Sequence, residues 1–342
     1  MTRIAIIGEG VIGTSTALAI KKLRPDVEIT IFHDRPFKET CSAVPAGLFR
    51  FDSISDSIAA RNKQLRTDAK VTFDWYAELC REQPGTITGV KLLSGHIQSD
   101  DKEALQAQER AYGDIVYNFR YLSDRERKSL FPNPSRYAIH FSSYAAEGNQ
   151  YVPFLKKQLL NNGVVFVKRA IRNIDELADE GFEVVVNSAG LNAGKLAEDD
   201  DGVYPIRGVA FEVEAPWHKQ FNYRDFSTFT IPKNNCVVVG SVKQVNRSDT
   251  EVTDEDRRDI WERYVKLQPA MEGAKVISEW CGLRPARASI RVESQDRLTR
   301  TGRKYTLVHN YGHGGHGFCF GWGTAVRAAA LVDRAIKDKA KL

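Results

Sequence analysis

The chain is poor in cysteine, lacks a dominant charge sign, and has no apolar run long enough to cross a bilayer. Its five cysteines (Cys41, Cys80, Cys236, Cys281 and Cys319) are scattered, and none forms a CxxC pair. That excludes a disulfide framework and suits unpaired thiols in a reducing compartment. Lys and Arg number 49 and Asp and Glu 44, a net charge of +5, interspersed throughout. Such a balance favours a site that attracts anions but is no nucleic-acid signature. His313 and His316 share one loop with no third ligand type beside them, so no metal site is expected. Repeats, low-complexity tracts and Pro/Gly linkers are missing, so domains must interleave. Met1-Thr2-Arg3 runs straight into an apolar segment, and no secretory leader is expected.

What is present is a soluble composition, 42% hydrophobic and 27% charged, over 342 residues, enough for two domains. Arg3 to Gly8 is a short apolar run, followed at once by Gly8-Glu9-Gly10-Val11-Ile12-Gly13. A helix-like segment to about Leu23, a turn at Pro25-Asp26 and a second apolar run, Val27 to Phe32, end at His33-Asp34. Strand, glycine turn, helix, strand, acid is the order of a dinucleotide-binding unit. Gly8 permits the turn, Gly10 the approach of a pyrophosphate, and Gly13 close packing of helix on strand. The helix N-terminus offers free N–H groups to phosphate, and Asp34 is placed to accept from ribose.

Periodicity predicts helices over Ser57–Cys80, Ala104–Tyr112, Gln150–Leu160, Thr253–Leu267 and Trp322–Lys339, with Ser123 capping a short one. Strands are expected at Val90–Ile97, Tyr137–Tyr144, Val164–Val167, Val184–Asn187, Val276–Cys281 and Tyr305–Val308. Ser188-Ala189-Gly190 reads as a second small-residue turn. From Val203 the pattern becomes antiparallel: Val209–Glu214, Phe226–Ile231 and Cys236–Val242, separated by turns.

Four glycines fall within the six residues Gly312 to Gly317, again between a strand and a helix. A helix N-terminus there would stabilise negative charge on a reduced flavin; the alternative is only a tight turn. Arg284 precedes Pro285, so its backbone is extended. Its guanidinium can clamp a carboxylate, or it can join Arg287 and Arg291 in a surface cluster pairing with Glu279 or Glu293.

Taken together, IAIIGEGVIGTSTAL, Pro45-Ala46-Gly47-Leu48, Asn187 to Gly190, Pro205-Ile206-Arg207-Gly208, Ala215-Pro216-Trp217, Gly282-Leu283-Arg284-Pro285 with Arg287 and Arg291, and His309 to Gly317 followed by Gly321-Trp322-Gly323 resemble the D-amino-acid oxidase family of flavoproteins. The resemblance runs nearly end to end. It implies an α/β fold: a Rossmann-type FAD-binding domain (1–52, 143–196 and 284–342) interleaved with an antiparallel β-rich substrate domain (53–142 and 197–283). It implies oxidation of a free D-amino acid by FAD and O2 to a 2-oxo acid, ammonia and H2O2. Arg284 would hold the substrate α-carboxylate, and the Gly315 carbonyl would face the amine. Gly8, Gly10, Val11, Ile12, Gly13, Asp34, Arg35, Thr40, Cys41, Ser42, Gly47, Leu48, Ile171, Gly314, Gly317, Phe318 and Cys319 would line the dinucleotide. No side chain would act as base; positioning and electrostatics would carry the reaction.

The chain departs from the family pattern at the active-site lid, where Phe229 stands for the usual tyrosine and Asp225 or its neighbours for a second. A substitute donor is expected from Arg224 or Tyr223. By motif, Lys243 falls where members acting on D-aspartate carry a cation. A buried ammonium there would favour an acidic side chain by roughly 10²-fold or more; the alternative is that Lys243 snorkels to solvent. Arg50, after the PAGL loop, would add to the field. The expected substrate is D-aspartate, with D-glutamate also acceptable. The rivals are an oxidase of neutral D-amino acids, glycine or sarcosine, and a catalytically silent nucleotide-binding protein. Ala340-Lys341-Leu342 differs by one residue from SKL and is expected to engage the peroxisomal import receptor, placing the protein in the matrix. No nucleic-acid or membrane partner is expected.

Overall fold

The structure is a computed structural model that describes residues 1–51 and 59–340. Ser57 and Ile58 of the first expected long helix, and Lys341 and Leu342 of the terminal tripeptide, lie outside the described residues. The chain forms two compact units, Met1–Ala43 with Gly148–Pro205 and Arg284–Leu342, and Val44–Glu147 with Ile206–Leu283. The breaks at 43, 147 and 205 replace the expected 52, 142 and 196. The first moves because Leu48 bridges Ala145 and Phe49 N–H bonds the Tyr144 carbonyl, which ties residues after Ala43 to a strand of the second unit.

In the first unit the strands Lys304–His313, Val184–Asn187, Arg3–Ile7, Glu28–His33 and Val165–Lys168 pair in that order, all parallel. The end of strand Val276–Leu298 adds antiparallel to Lys304–His313. A parallel sheet is covered on both faces, so its strands read as continuous apolar runs. Ala5, Ile7, Phe32, Val185 and Leu307 pack on one side with Leu177, Ala178 and Phe182. Helices Val11–Leu23 and Gly317–Lys339 pack against each other and against strands of the sheet. The first of these ends at Arg24 because Pro25 follows, and Lys21 and Lys22 complement its negative end.

In the second unit the order is Tyr117–Tyr121, Tyr137–Ala146, Val90–Ser99, Phe221–Arg224, Thr228–Pro232, Val237–Gly240, Tyr204–Val213. All neighbours are antiparallel except Val90–Ser99 with Phe221–Arg224. Helix Asp254–Leu267 covers Val209, Phe211, Val237 and Val239 through Ile260 and Tyr264. Capping boxes start this helix at Thr253–Asp256 and the short helix Asp124–Leu130 at Ser123–Glu126.

Several boundaries differ from expectation. The run Phe226–Ile231 begins as a strand only at Thr228, because Asp225 and Phe226 take left-handed φ values of 49° and 59°. Cys236–Val242 shortens to Val237–Gly240. Val276–Cys281 continues through Arg284 to Leu298 as one extended segment. The strands Tyr117–Tyr121 and Phe221–Arg224 were not foreseen; both are short, and cross-strand pairing rather than local period sustains them.

Candidate active site

The glycine turn behaves as its spacing implies. Gly8 has φ 111°, and a β-carbon there would lie 2.4 Å from the Ser188 carbonyl oxygen. The small-residue turn at Ser188 therefore packs on the Gly8 backbone. A β-carbon on Gly13 would lie 1.9 Å from the Gly8 carbonyl oxygen, the close helix-to-strand contact that only glycine allows. The helix starting at Val11 has Gly10 as N-cap, no side-chain cap and no acid in its first turn. The Val11 N–H donates to Ser42 Oγ at 3.0 Å, so that amide is already satisfied by a hydroxyl. Gly148 keeps the Ser42 loop in place, since a β-carbon there would meet the Ser42 carbonyl oxygen at 2.0 Å.

The second glycine cluster is a strand, one 3₁₀ turn and a helix. Strand Lys304–His313 passes into Gly314–His316 and then helix Gly317–Lys339. The helix starts five residues before the expected Trp322. It too lacks a side-chain cap and an acid in its first turn. A β-carbon on Gly317 would lie 3.4 Å from Val11 Cγ1, and one on Gly321 would lie 3.3 Å from Ile12 Cδ1. Two helix N-termini, the first bonded at Val11 by Ser42, thus meet side by side, and two positive dipole ends converge. The loop between is pinned from behind: His313 Nε2 pairs with Thr324 Oγ1 at 2.9 Å, and burial lowers His313 to about 3.

The three arginines of the GLRP segment separate. Arg291 bonds Asp199 at 2.7 Å, the Tyr311 hydroxyl at 2.9 Å and Glu293 at 2.7 Å. Arg287 bonds Asp200 at 2.8 Å, and the Tyr311 hydroxyl donates to the same carboxylate at 2.6 Å. Glu279 pairs with Arg257 instead. The surface-cluster alternative is therefore right in part for Arg291 and Glu293 only. The Arg291 guanidinium holds Asp199 well below the usual carboxylate range. Pairing between the two long strands breaks register between Ala286 and Arg291. Arg284 lies before that break, where a β-carbon on Gly315 would sit 3.4 Å from its Cδ and 3.8 Å from its Nε. Gly315 itself is exposed. Of the three, Arg284 is the one laid along the glycine turn.

Asp34 is exposed and held bidentately by Arg35 at 3.0 and 2.7 Å, which lowers its pKa. Thr40 Oγ1 donates to the Phe37 carbonyl, and Cys41 is half-buried. Ile171 packs against the apolar core below the sheet. Phe318 and Cys319 are buried in the first turn of the closing helix.

In the second unit, Gly47 has φ 51° and accepts from Ala146 N–H. Phe229 pairs across strands with Tyr223, ring centroids 5.1 Å apart, and with Gly240 on its other side. Arg224 pairs with Thr228, so it points to the opposite face from Tyr223 and Phe229. Its guanidinium donates to the Asn133 carbonyl and, at 3.5 Å, to Gln98. Arg224 cannot replace a hydroxyl beside Phe229; of the two expected substitutes, Tyr223 is on the right face. Lys243 is exposed, so the buried ammonium expected there is corrected to a solvent-facing one. Arg50 lies over Tyr223, its guanidinium carbon 5.1 Å from the ring centroid.

Two networks escaped the sequence reading. Asp199 and Asp200 sit in an acidic run whose only signal was its charge. Arg207, fully buried, pairs with buried Asp256 at 2.7 Å. Among the described residues, no group of three or more His, Cys, Asp or Glu side chains could hold a metal ion.

The profile of the family described as "FAD dependent oxidoreductase" matches residues 3–331. The chain belongs to that family. It is 59% identical over 337 residues to D-aspartate oxidase 1 of Caenorhabditis elegans, covering 98% of each chain. It is 33% identical over 338 residues to human D-aspartate oxidase, covering 98% of this chain and 95% of that one. Glycine oxidase from Geobacillus kaustophilus has the same fold, with a TM-score of 0.78 at 20% identity over 98% of this chain and 95% of that one. The cofactor of this FAD dependent oxidoreductase fits its residues. The pair of helix N-termini at Gly10 and Gly317, neither with an acid in its first turn, provides the positive field a pyrophosphate and an electron-accepting ring require.

Proposed function

We propose that the protein oxidises D-aspartate, and accepts D-glutamate also, giving the 2-oxo acid and ammonia. The observation that carries this is Arg284 lying along Gly315, a bidentate cation beside an exposed backbone turn. Relatives named D-aspartate oxidase, aligned over nearly the full chain, direct the choice of side chain. FAD, when bound, would supply the two-electron oxidation of the amino acid, with O2 as final acceptor giving H2O2 and water hydrolysing the imine to the 2-oxo acid and ammonia. The first unit, which holds both glycine turns, would bind FAD.

Arg284 holds the α-carboxylate in two parallel bonds, which fixes the rotation of the amino acid. The Gly315 carbonyl accepts from the amine and keeps its lone pair directed. No side chain need take a proton from Cα, since that hydrogen leaves with its electrons. The exposure of Lys243 favours, as second reading, an oxidase of neutral D-amino acids.

The test is the absorbance spectrum of the purified protein with peroxide release on D-aspartate, D-glutamate, D-alanine and N-methylglycine. Flavin bands and fastest turnover of D-aspartate are expected. D-Alanine turning over faster would defeat the assignment. We also propose a peroxisomal matrix location. Ala340-Lys341-Leu342 and a peroxide-releasing reaction support it. Deleting those three residues should disperse a fluorescent fusion into the cytosol.

A further inference from the structure

The turn Gly8-Glu9-Gly10 carries an acid where a diphosphate is to bind. Glu9 lies just outside the first turn of helix Val11–Leu23, whose N-cap is Gly10, and its side chain is only 3% exposed. An anion beside a helix N-terminus is favourable by itself, but it repels a second anion brought to the same dipole end. A buried carboxylate without a counter-charge is also costly. One cation meets both difficulties. Lys156 Nζ, from helix Gly148–Asn161, donates to Glu9 Oε2 at 3.0 Å. That helix packs against Val11–Leu23. The same ammonium lies 4.4 Å from the Phe166 ring centroid, a cation–π distance that holds it between ring and carboxylate.

His33 does not take this part. Its Nδ1 lies 3.7 Å from Glu9 Oε1 but 3.0 Å from the Arg35 carbonyl oxygen. A carbonyl only accepts, so the Nδ1 proton is directed to Arg35. Glu9, Lys156 and both glycine turns belong to the same compact unit. The stem of Lys156 borders a cavity of about 400 Å³ with Phe37, Val152, Pro153 and Leu160, so an arginine has room in its place.

We propose that Lys156 is a positioning residue for FAD: by neutralising Glu9 it keeps the phosphate-binding turn receptive to the FAD diphosphate. Removing Lys156 alone leaves an anion in the turn. Removing the Glu9 charge alone leaves a cation beside it, and removing both returns it to neutrality. The inference does not depend on which amino acid the protein oxidises.

The test titrates apoprotein with FAD at about pH 8, where carboxylates are ionised, and follows flavin fluorescence. Lys156→Met should weaken FAD binding about tenfold or more, and Glu9→Gln should tighten it several-fold. The double variant should return close to the parent, and Lys156→Arg should stay close to it. ADP, displacing FAD in competition, should share the loss in Lys156→Met; adenosine, which lacks phosphate, should not. Unchanged FAD binding in Lys156→Met overturns the proposal. So does a double variant or a Lys156→Arg variant as weak as Lys156→Met, because the lysine would then act otherwise than through the charge on Glu9. An equal loss for ADP and adenosine overturns it too, since the role would be structural. If Lys156→Met does not fold, Glu9→Gln decides: FAD held no more tightly than by the parent overturns the proposal.

Discussion

Gly315 has no side chain, and the stem of Arg284 occupies the space beside it: a β-carbon on Gly315 would stand 3.4 Å from Arg284 Cδ. That is the near edge of van der Waals contact, so an alanine methyl would touch the arginine stem and narrow the space it moves in. One residue of the second glycine cluster thus borders the stem of Arg284, while Arg287 and Arg291 bond Asp200 and Asp199.

Gly315→Ala should therefore raise KM for the amino acid more than it lowers kcat, with flavin retained. Arg284→Ala should cost about a hundredfold or more in kcat/KM, also with flavin retained, since it removes a charged carboxylate partner. Absorbance and steady-state peroxide release check both. Loss of flavin from Arg284→Ala would mean that the arginine serves the fold.

Tyr311 is held by Arg291 at 2.9 Å and by Asp200 at 2.6 Å, one residue before Gly312. Burial pushes the Tyr311 hydroxyl well above its usual range, and it stays protonated as a donor to Asp200. Tyr311→Phe should loosen the turn that follows. The expected result is about tenfold weaker FAD binding to apoprotein and a stability loss of about 1–2 kcal/mol. Fluorescence titration with FAD and urea unfolding measure these; an unchanged FAD affinity would assign the network to the fold alone.

Arg207 is 0% exposed and Asp256 4%, and they bond through two nitrogens at 2.7 and 3.2 Å. Asp256→Asn should destabilise the protein by about 3 kcal/mol, because it removes the buried counter-charge of Arg207 and leaves only Gln244, the Glu251 carbonyl and half-exposed Asp249 beside it. Burial alone would raise the Asp256 carboxyl, but the bonds from Arg207 and Thr253 outweigh it and bring it to about 2. A carboxyl depressed on folding contributes stability above its unfolded value, near 3.8, and loses it as pH falls through about 2. Denaturant titrations of parent and variant at pH 7 should differ by the full amount.

Histidines 96, 218 and 309 are pushed down to about 4 by burial, and His313 to about 3. The unfolded chain protonates each near 6.5. Between about pH 6.5 and 4 it binds more protons than the folded protein, so stability rises with pH across that window and is lost on acidification. Each histidine contributes at most about 1.4 kcal/mol per pH unit. The thermal midpoint in excess FAD should fall from pH 7 to pH 5, and a flat profile would contradict the burial of these rings. His218→Gln, which keeps a polar partner for Thr230 Oγ1, should make the slope shallower.

Local chemistry carried a large share of this protein. Glycines at 8, 10 and 13 after an apolar run determine a turn and a helix start, because steric limits on φ and close approach act within a few residues. Thr253 and Ser123 mark helix starts for the same short-range reason. Alternation and charge pointed to a β-rich segment after Val203. Tertiary structure alone decided which cations are spent on the fold. Nothing local in the sequence marks the partners of Arg207, Arg287 and Arg291; Asp256, Asp200 and Asp199 return to them from distant segments. It also turned Arg224 away from Phe229, since strand register determines the face each side chain takes. Lys243 at the surface and Arg50 against two aromatic rings follow from the same cause: burial and pairing depend on contacts far apart in the chain.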